Sequence, residues 1–195
     1  FTAPTALETA LASTGIAGIS KVSSTAAASV AQVNNIIAKS TAVVTATIND
    51  KTLAGLATLT GTGNALTIEV DDASADAAAI NVINDKTTVA VKVDSTTITG
   101  ALSDIKTLYD ANTAGTVTNL GNETVIISDA GSVAAADLHS VNTLTSGIVS
   151  ANSVAVVTGS VVDLLKVYSS GNTAGVVAGL GNEGIIITDT GTVAA

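Results

Sequence analysis

The chain has 195 residues and a formal net charge of −9, with 47% hydrophobic but only 2% aromatic residues and no cysteine. All of its basic residues are lysines, so it lacks the arginine fork that contacts phosphates and base edges, and its negative field repels nucleic acid and anionic membranes. No run of roughly 18 apolar residues is present, which argues against membrane insertion. Small and β-branched side chains suit many thin stacked layers, so the composition favours a repetitive molecule.

Apolar residues recur at a spacing of three along several short stretches, which predicts helices that each bury one narrow face. In chain order the stripes are Val30, Val33, Ile36; Leu53, Leu56, Leu59; Ile80, Ile83; Leu102, Ile105, Leu108; Leu138, Val141, Leu144; and Val161, Leu164 or Leu165, Tyr168. The residues predicted as N-caps are Ser24, Asp50, Ser74 and Ser132. The glycines predicted to stop helices are Gly61, Gly115, Gly147 and Gly171.

Runs rich in valine, isoleucine and threonine lie between these helices and predict strands buried on at least one face. They are AVVTATI (42–48), ALTIEV (65–70), TVAVKV (88–93), TVIIS (124–128), SVAVV (153–157) and GIIIT (184–188). Because helices connect the strands, we expect parallel pairing and right-handed crossovers.

The sequence of residues 112–135 returns almost unchanged at residues 172–195, and a fainter copy begins near residue 63, so the period is about 60 residues. A coil of a repeat protein needs a near-copy on each side to bury its apolar face. The sequence therefore predicts an α/β fold, namely a right-handed parallel α/β solenoid of about six or seven coils built from two-helix repeats. We expect one solenoid over residues 1–195, with divergent repeats at 1–62, clearer repeats at 63–120 and 121–180, and a partial repeat at 181–195.

Three Gly-Asn pairs precede strands at matching places in the repeat. Both residue types tolerate a positive φ, so we interpret each pair as a structural corner where the chain changes direction. The corner residues are Gly63, Asn64, Gly121, Asn122, Gly181 and Asn182.

Acidic residues recur at the same places as these corners. Glu123 and Glu183 follow the corner, and Asp71, Asp129 and Asp189 follow the next strand. Stacked carboxylates of this kind are candidates for binding calcium, although no EF-hand loop is present. The alternative is that the aspartates form Asx-turns and favour the positive end of the next helix. No other cofactor is expected.

No catalytic group of residues is found, so we do not expect an enzyme. His139 is the single histidine, and without cysteines or a paired acid we interpret it as a solvated residue on a helix face. Tyr109 and Tyr168 occupy the same repeat position, so we expect a structural role with their hydroxyls in solvent. A solenoid lyase would require clustered aspartate, lysine and arginine, and arginine is absent.

The motifs [NG]LGNE, LTSGIVSANSV and TG-x(3)-D-[IL]-x(2)-[LV]-Y resemble the long tandem repeats of giant secreted or cell-surface proteins of marine cyanobacteria and related bacteria. The resemblance covers most of residues 63–195. It implies an extracellular or cell-surface location and a scaffold role. Because the chain begins with Phe1, we also expect a processed chain or a piece of a longer one.

These observations favour a structural segment of an extracellular filament, adhesin stalk or surface layer. An ice- or carbohydrate-binding solenoid is the alternative, and it would need a T-x-T run in every coil. TAT (45–47) and TVT (116–118) are such runs, but the repeat partner of the second is VVA (176–178). Neither end of the sequence carries a charged capping segment, so the expected partners are copies of the chain or adjoining repeats, stacked end to end.

Overall fold

The computed structural model describes residues 3–12, 21–169 and 177–190. Within these ranges the chain is a mixed α/β protein with seven helices and fourteen short strands, and all the strand pairs found there are parallel. The predicted α/β class and parallel pairing are therefore confirmed. The helices are α1 (Pro4–Ala12), α2 (Val30–Lys39), α3 (Leu53–Leu56), α4 (Ala77–Asn84), α5 (Leu102–Ala114), α6 (Ala135–Leu144) and α7 (Val161–Ser169). The strands are β1 (Lys21–Ser23), β2 (Val43–Thr47), β3 (Ala65–Thr67), β4 (Glu69–Val70), β5 (Ser74–Asp76), β6 (Val91–Val93), β7 (Thr97–Gly100), β8 (Val117–Thr118), β9 (Thr124–Ile127), β10 (Ser132–Ala134), β11 (Val149–Ser150), β12 (Val156–Gly159), β13 (Val177–Ala178) and β14 (Gly184–Ile187).

The chain divides into two compact units. The first unit comprises Phe1–Asp72, Ala79–Asp94 and Ala111–Asn119. It holds two three-stranded sheets, ordered β1-β2-β3 and β4-β6-β8. In the first of these sheets Ala46 lies opposite Leu66, and both side chains are buried. Because side chains alternate along a strand, this register keeps one face of the sheet in the core.

The second unit comprises Ala73–Ala78, Ser95–Asp110 and Leu120–Ala195. It contains a five-stranded sheet, ordered β5-β7-β9-β11-β13, and a three-stranded sheet, ordered β10-β12-β14. Buried residues on successive strands of the larger sheet lie directly opposite one another and form a row of alanine, isoleucine and valine side chains. This row is Ala75, Ile98, Val125, Val149 and Val177.

The helices form largely where the apolar spacing predicted them, although α3 ends at Leu56, so that Leu59 of its predicted stripe lies outside it. All three stripe residues of α2 and of α5 are buried, and α6 buries Leu138 and Val141. In α7 the predicted Leu164 is buried, but Val167 is buried in place of the predicted Val161 and Tyr168, which are half-buried. An amphipathic helix buries the side that meets its neighbour, and α7 packs against α6.

The predicted N-caps are wrong. Ser29, not Ser24, caps α2, in a capping box with Gln32, and Ser74 and Ser132 lie within strands β5 and β10. These two strands run directly into α4 and α6, which leaves no separate capping residue at the position we expected.

The predicted helix stops are confirmed in part. Gly115 directly follows α5 and has a positive φ of 79°, as a left-handed helix stop requires. Gly61 also has a positive φ, of 74°, but α3 ends earlier, at Leu56, so Gly61 does not stop that helix. Gly147 does not belong to the positive-φ glycines. It is needed for another reason, because a Cβ at this position would lie 2.0 Å from the carbonyl oxygen of Glu123. Gly171 lies outside the described residues.

Candidate functional site

Glu123 organises the corner between β8 and β9. Its side chain is only 1% exposed, and its carboxylate accepts hydrogen bonds from the backbone N–H of Gly121 at 2.9 Å and of Asn122 at 3.3 Å. The hydroxyl of Tyr109 on α5 donates to the same carboxylate at 2.7 Å. A buried carboxylate is tolerated when several donors surround it, so this set of bonds is a structural clasp between the helix and the corner.

The next repeat contains the same clasp. Tyr168 donates to Glu183, whose carboxylate also accepts from the N–H of Gly181 at 2.6 Å and of Asn182 at 3.1 Å. Burial raises the pKa of Glu183, but the bonds from Tyr168 and the corner amides outweigh burial, and the pKa is held below its usual range. We refer to the two sets as the Tyr–Glu clasps.

The clasps correct one sequence interpretation. We expected the tyrosine hydroxyls in solvent, whereas Tyr109 is 1% exposed and bonded to Glu123. The signal that could have revealed this is the repetition itself, because tyrosine and glutamate recur together, 14 residues apart in one copy and 15 in the other. Burial and the neighbouring carboxylate raise the pKa of both hydroxyls.

The corner residues lie where the sequence placed them. Gly121 and Gly181 have nearly equal φ values of 136° and 135°, which favour glycine. Gly63 also has a positive φ, of 73°, but its neighbour Asn64 is buried and accepts a hydrogen bond from Val44 through its side chain. Asn122 and Asn182 are exposed instead. The corner at residues 63–64 is therefore a different structure from the other two.

A second recurring contact joins each of four helices to a later segment of the chain. An aspartate that follows the helix by 19 to 28 residues accepts a hydrogen bond from the first N–H of that helix, at 2.6 to 2.7 Å. The first N–H groups of a helix have no partner within it, and the helix dipole attracts a carboxylate there. The pairs are Val30 with Asp50, Leu53 with Asp72, Leu102 with Asp129, and Val161 with Asp189.

These aspartates therefore stabilise the preceding helix, whereas we expected them to act on the next one. They also complement the local caps, since Ser29 and Thr52 satisfy a later N–H of α2 and α3. Asp50, predicted as an N-cap of the following helix, has this same role toward α2. At α3 the aspartate that makes the contact is Asp72, while the predicted Asp71 is exposed.

At the N-termini of helices α4 and α6, a glycine from a later segment lies where the other helices have the aspartate. A Cβ on Gly100 would lie 3.4 Å from the Cβ of Ala77, and one on Gly159 would lie 3.0 Å from the Cβ of Ala135. Along the chain, α4 and α6, which meet a glycine, therefore alternate with α5 and α7, which receive an aspartate. The sequence period of about 60 residues spans one helix of each kind.

The structure does not gather the calcium candidates into a cluster. Asp129 and Asp189 bind helix N-termini, and Glu123 and Glu183 bind corner amides and tyrosines. Among the described residues, no group of three or more histidine, cysteine, aspartate or glutamate residues could hold a metal ion. The hydrogen bonds give these carboxylates a structural role that requires no ion.

An exposed charge cluster lies on the sheet of β4 and β6 in the first unit. Glu69 contacts Lys51 at 2.6 Å and Lys92 at 3.1 Å, and Lys92 also contacts Asp94 at 2.5 Å. The hydrogen bond from Lys51, together with that from Lys92, lowers the pKa of Glu69 to about 2. Such pairs contribute little to stability because solvent screens them.

The two T-x-T runs considered for the alternative function lie in different sheets. Thr45 and Thr47 belong to β2, and Thr118 belongs to β8. The Thr116 hydroxyl accepts a hydrogen bond from the side-chain amide of Asn84. These threonines therefore do not line one continuous strand stack.

His139 is not the solvated residue that we predicted. It lies half-buried on α6, and its Nδ1 atom is buried without a hydrogen-bond partner. The packing of α6 against α7 explains this burial.

One apolar surface is exposed in the second unit, and we call it the α7–β14 face. It forms a groove of about 300 Å³. Every residue of β14 is exposed, with Ile185 at 53% and Ile187 at 51%. Apolar surface that is concave and uncovered marks a site of interaction. The groove is lined by Val161, Leu164, Leu165, Tyr168, Ile185 and Ile187.

Comparison with protein-family models, with curated proteins and with solved structures finds no match to this chain. No helix in the described ranges is long and apolar enough to cross a membrane. The case for a function therefore rests on the repeated contacts and on the α7–β14 face.

Proposed function

We propose that the chain is a non-catalytic repeat scaffold of an extracellular filament, adhesin stalk or surface layer, and that it assembles end to end. In this proposal the parallel sheets are parts of one right-handed α/β solenoid of about six or seven coils. The expected location outside the cell comes from the resemblance of the repeat motifs, together with the acidic, cysteine-free composition. The partners are copies of the chain or adjoining repeats.

The observation that carries the proposal is a row of core side chains whose last member is exposed to solvent. In the sheet of β10, β12 and β14, Val133 lies opposite Val157, and Val157 lies opposite Ile185. The first two side chains are buried, whereas Ile185 is 53% exposed. A side chain of the core row that is exposed to water loses the hydrophobic stabilisation that its equivalents receive. A further coil stacked on β14 would restore it.

The contacts between coils support a mechanical role. Parallel backbone pairing and the aspartate contacts to helix N-termini link neighbouring coils repeatedly. Because such interactions connect nearest neighbours only, coils can be added without a change in the design.

Negative-stain electron microscopy of the purified chain tests the proposal. We expect unbranched rods of constant width, whose length increases with protein concentration. Particles of one small size at all concentrations would contradict end-to-end assembly.

A further inference from the structure

The α7–β14 face has a covered counterpart inside the same unit. The sequence match between the repeats pairs α7 with α5 and β14 with β9. In the counterpart, Tyr109, Val125 and Ile127 are each no more than 1% exposed. The two faces share their Tyr–Glu clasp, their corner φ and their aspartate contact, so they differ mainly in what lies against them.

The segment that follows α6 covers the counterpart. The Thr145 hydroxyl donates to the Glu123 carbonyl at 2.8 Å, and the N–H of Ser146 donates to the Gly121 carbonyl at 2.8 Å. β11 then pairs with β9 in parallel. Gly147 permits this close approach, because any Cβ there would overlap the backbone of Glu123.

The sequence contains a second stretch that resembles this segment. Helix α1 precedes and packs on α2, as α6 precedes and packs on α7. After α6 the sequence is Thr-Ser-Gly-Ile (145–148), and after α1 it is Ser-Thr-Gly-Ile (13–16). The Gly and Ile positions match, and both preceding residues carry hydroxyls.

We propose that the α7–β14 face of one copy binds residues 9–17 of a second copy, whose sequence matches the segment that covers the counterpart face. This inference rests on the proposed end-to-end assembly and names the two surfaces that meet. The contact is head-to-tail, since each copy offers one face and one segment, and repetition of it gives an open filament.

The chemistry of the two surfaces fits. Residues 9–20 carry no charge, so placing them on an apolar groove buries no ionised group. The corner offers backbone carbonyl groups that the serine and threonine hydroxyls can bind, as Thr145 does in the counterpart. Apolar burial and a few backbone-directed hydrogen bonds are the usual basis of such docking.

Sedimentation velocity of single variants tests each surface. On the face, Ile185→Asp places a carboxylate in the contact, while Ile126→Asp is the matched control, because Ile126 is an exposed isoleucine on the equivalent strand in the interior of the sheet. On the segment, Gly15→Val blocks the approach, and Gly131→Val is its control, because a Cβ at Gly131 meets nothing within 4 Å. We expect Ile185→Asp and Gly15→Val each to weaken self-association at least ~10-fold, and the controls to assemble as the parent chain does.

A mixture of the two defective variants separates head-to-tail docking from other arrangements. Ile185→Asp retains a working segment and Gly15→Val retains a working face, so an equimolar mixture should form dimers that grow no further. This dimer also shows that both variants are folded, and far-UV circular dichroism checks this for each variant alone.

The outcomes distinguish the two proposals. If the parent chain assembles but Ile185→Asp and Gly15→Val assemble equally well, the named surfaces are wrong and the scaffold proposal stands. If the variants remain monomeric in the mixture, or if only one of the two substitutions has an effect, head-to-tail docking is overturned. A parent chain that stays monomeric overturns both proposals.

Discussion

Single side chains that recur in both copies of the repeat hold the corners of this protein. Glu123 shows the requirement most clearly, because one buried carboxylate accepts bonds from two backbone N–H groups and from Tyr109. An acceptor-only group fits this place, since the groups that bond to it, two backbone N–H groups and the tyrosine hydroxyl, are all donors. The clasp therefore depends on the charge of the glutamate as well as on its shape.

The Glu123→Gln variant should lower the free energy of unfolding by ~2 kcal/mol, because the amide directs a donor at other donors in a buried site. Glu183→Gln at the more exposed copy is the matched comparison and should cost less. Urea denaturation measures both values. Equal stability of Glu123→Gln and the parent chain would contradict the clasp.

The tyrosines predict how stability changes at alkaline pH. Burial, followed by the glutamate bond, raises the pKa of both Tyr109 and Tyr168 above the ordinary value of 10.0. The hydroxyls stay protonated in the folded state while an unfolded chain ionises, so this contribution to stability is present below pH 10 and is lost as the pH rises above it. Absorbance at the phenolate band should therefore appear together with unfolding. Normal titration of a folded protein near pH 10 would show that the hydroxyls are free.

At the scale of helices and strands, the elements are stabilised by neighbours distant in sequence. Four helices receive an aspartate from a later segment, and rows of buried side chains run across the parallel strands. A helix of nine or ten residues, such as α7 or α2, is unstable alone in water. Each of these helices is therefore stabilised by its contacts with residues that are distant in sequence.

Asp129→Ala should destabilise the chain by ~1 kcal/mol, because it leaves the first N–H of α5 without a charged acceptor. Asp110→Ala is the control, since Asp110 makes only an exposed pair with Lys106, and we expect less than ~0.5 kcal/mol from it. Thermal and urea unfolding of both variants decide the matter. A larger effect from Asp110→Ala would contradict the structural role of Asp129.

Gly147→Ala should destabilise the second unit by about 1–3 kcal/mol, because the added methyl group overlaps the carbonyl of Glu123 and must displace backbone. Gly131→Ala meets open space and should be nearly neutral. The comparison uses the midpoint of urea unfolding. If the two alanine variants unfold at the same midpoint, the close approach at Gly147 is not required.

The sequence predicted the elements better than their connections. The stripes of α2 and α5 and the strand GIIIT were found because apolar spacing is a local property. The capping role of Asp129 was not found, since its partner Leu102 lies 27 residues earlier. The burial of Tyr109 was missed for the same reason, because composition favours exposed hydroxyls unless a distant acceptor is known.

At the scale of the whole molecule, the two copies of the repeat have matching elements but different surroundings. The counterpart face on α5 and β9 is covered and the α7–β14 face is open, although both have apolar residues at matching positions. Sequence alone could not reveal this difference, since the apolar pattern is the same in both copies. The difference is visible only in the structure, where Val125 is buried and the matching Ile185 is 53% exposed.

The most direct test of the account is the weight-average mass of the parent chain at sedimentation equilibrium, measured over a wide concentration range. Open head-to-tail stacking predicts a mass that rises continuously with concentration and reaches no plateau, because each added copy presents the same free face. A constant monomer mass would contradict the account, and so would a plateau at the mass of a dimer, since a closed pair leaves no face for further growth.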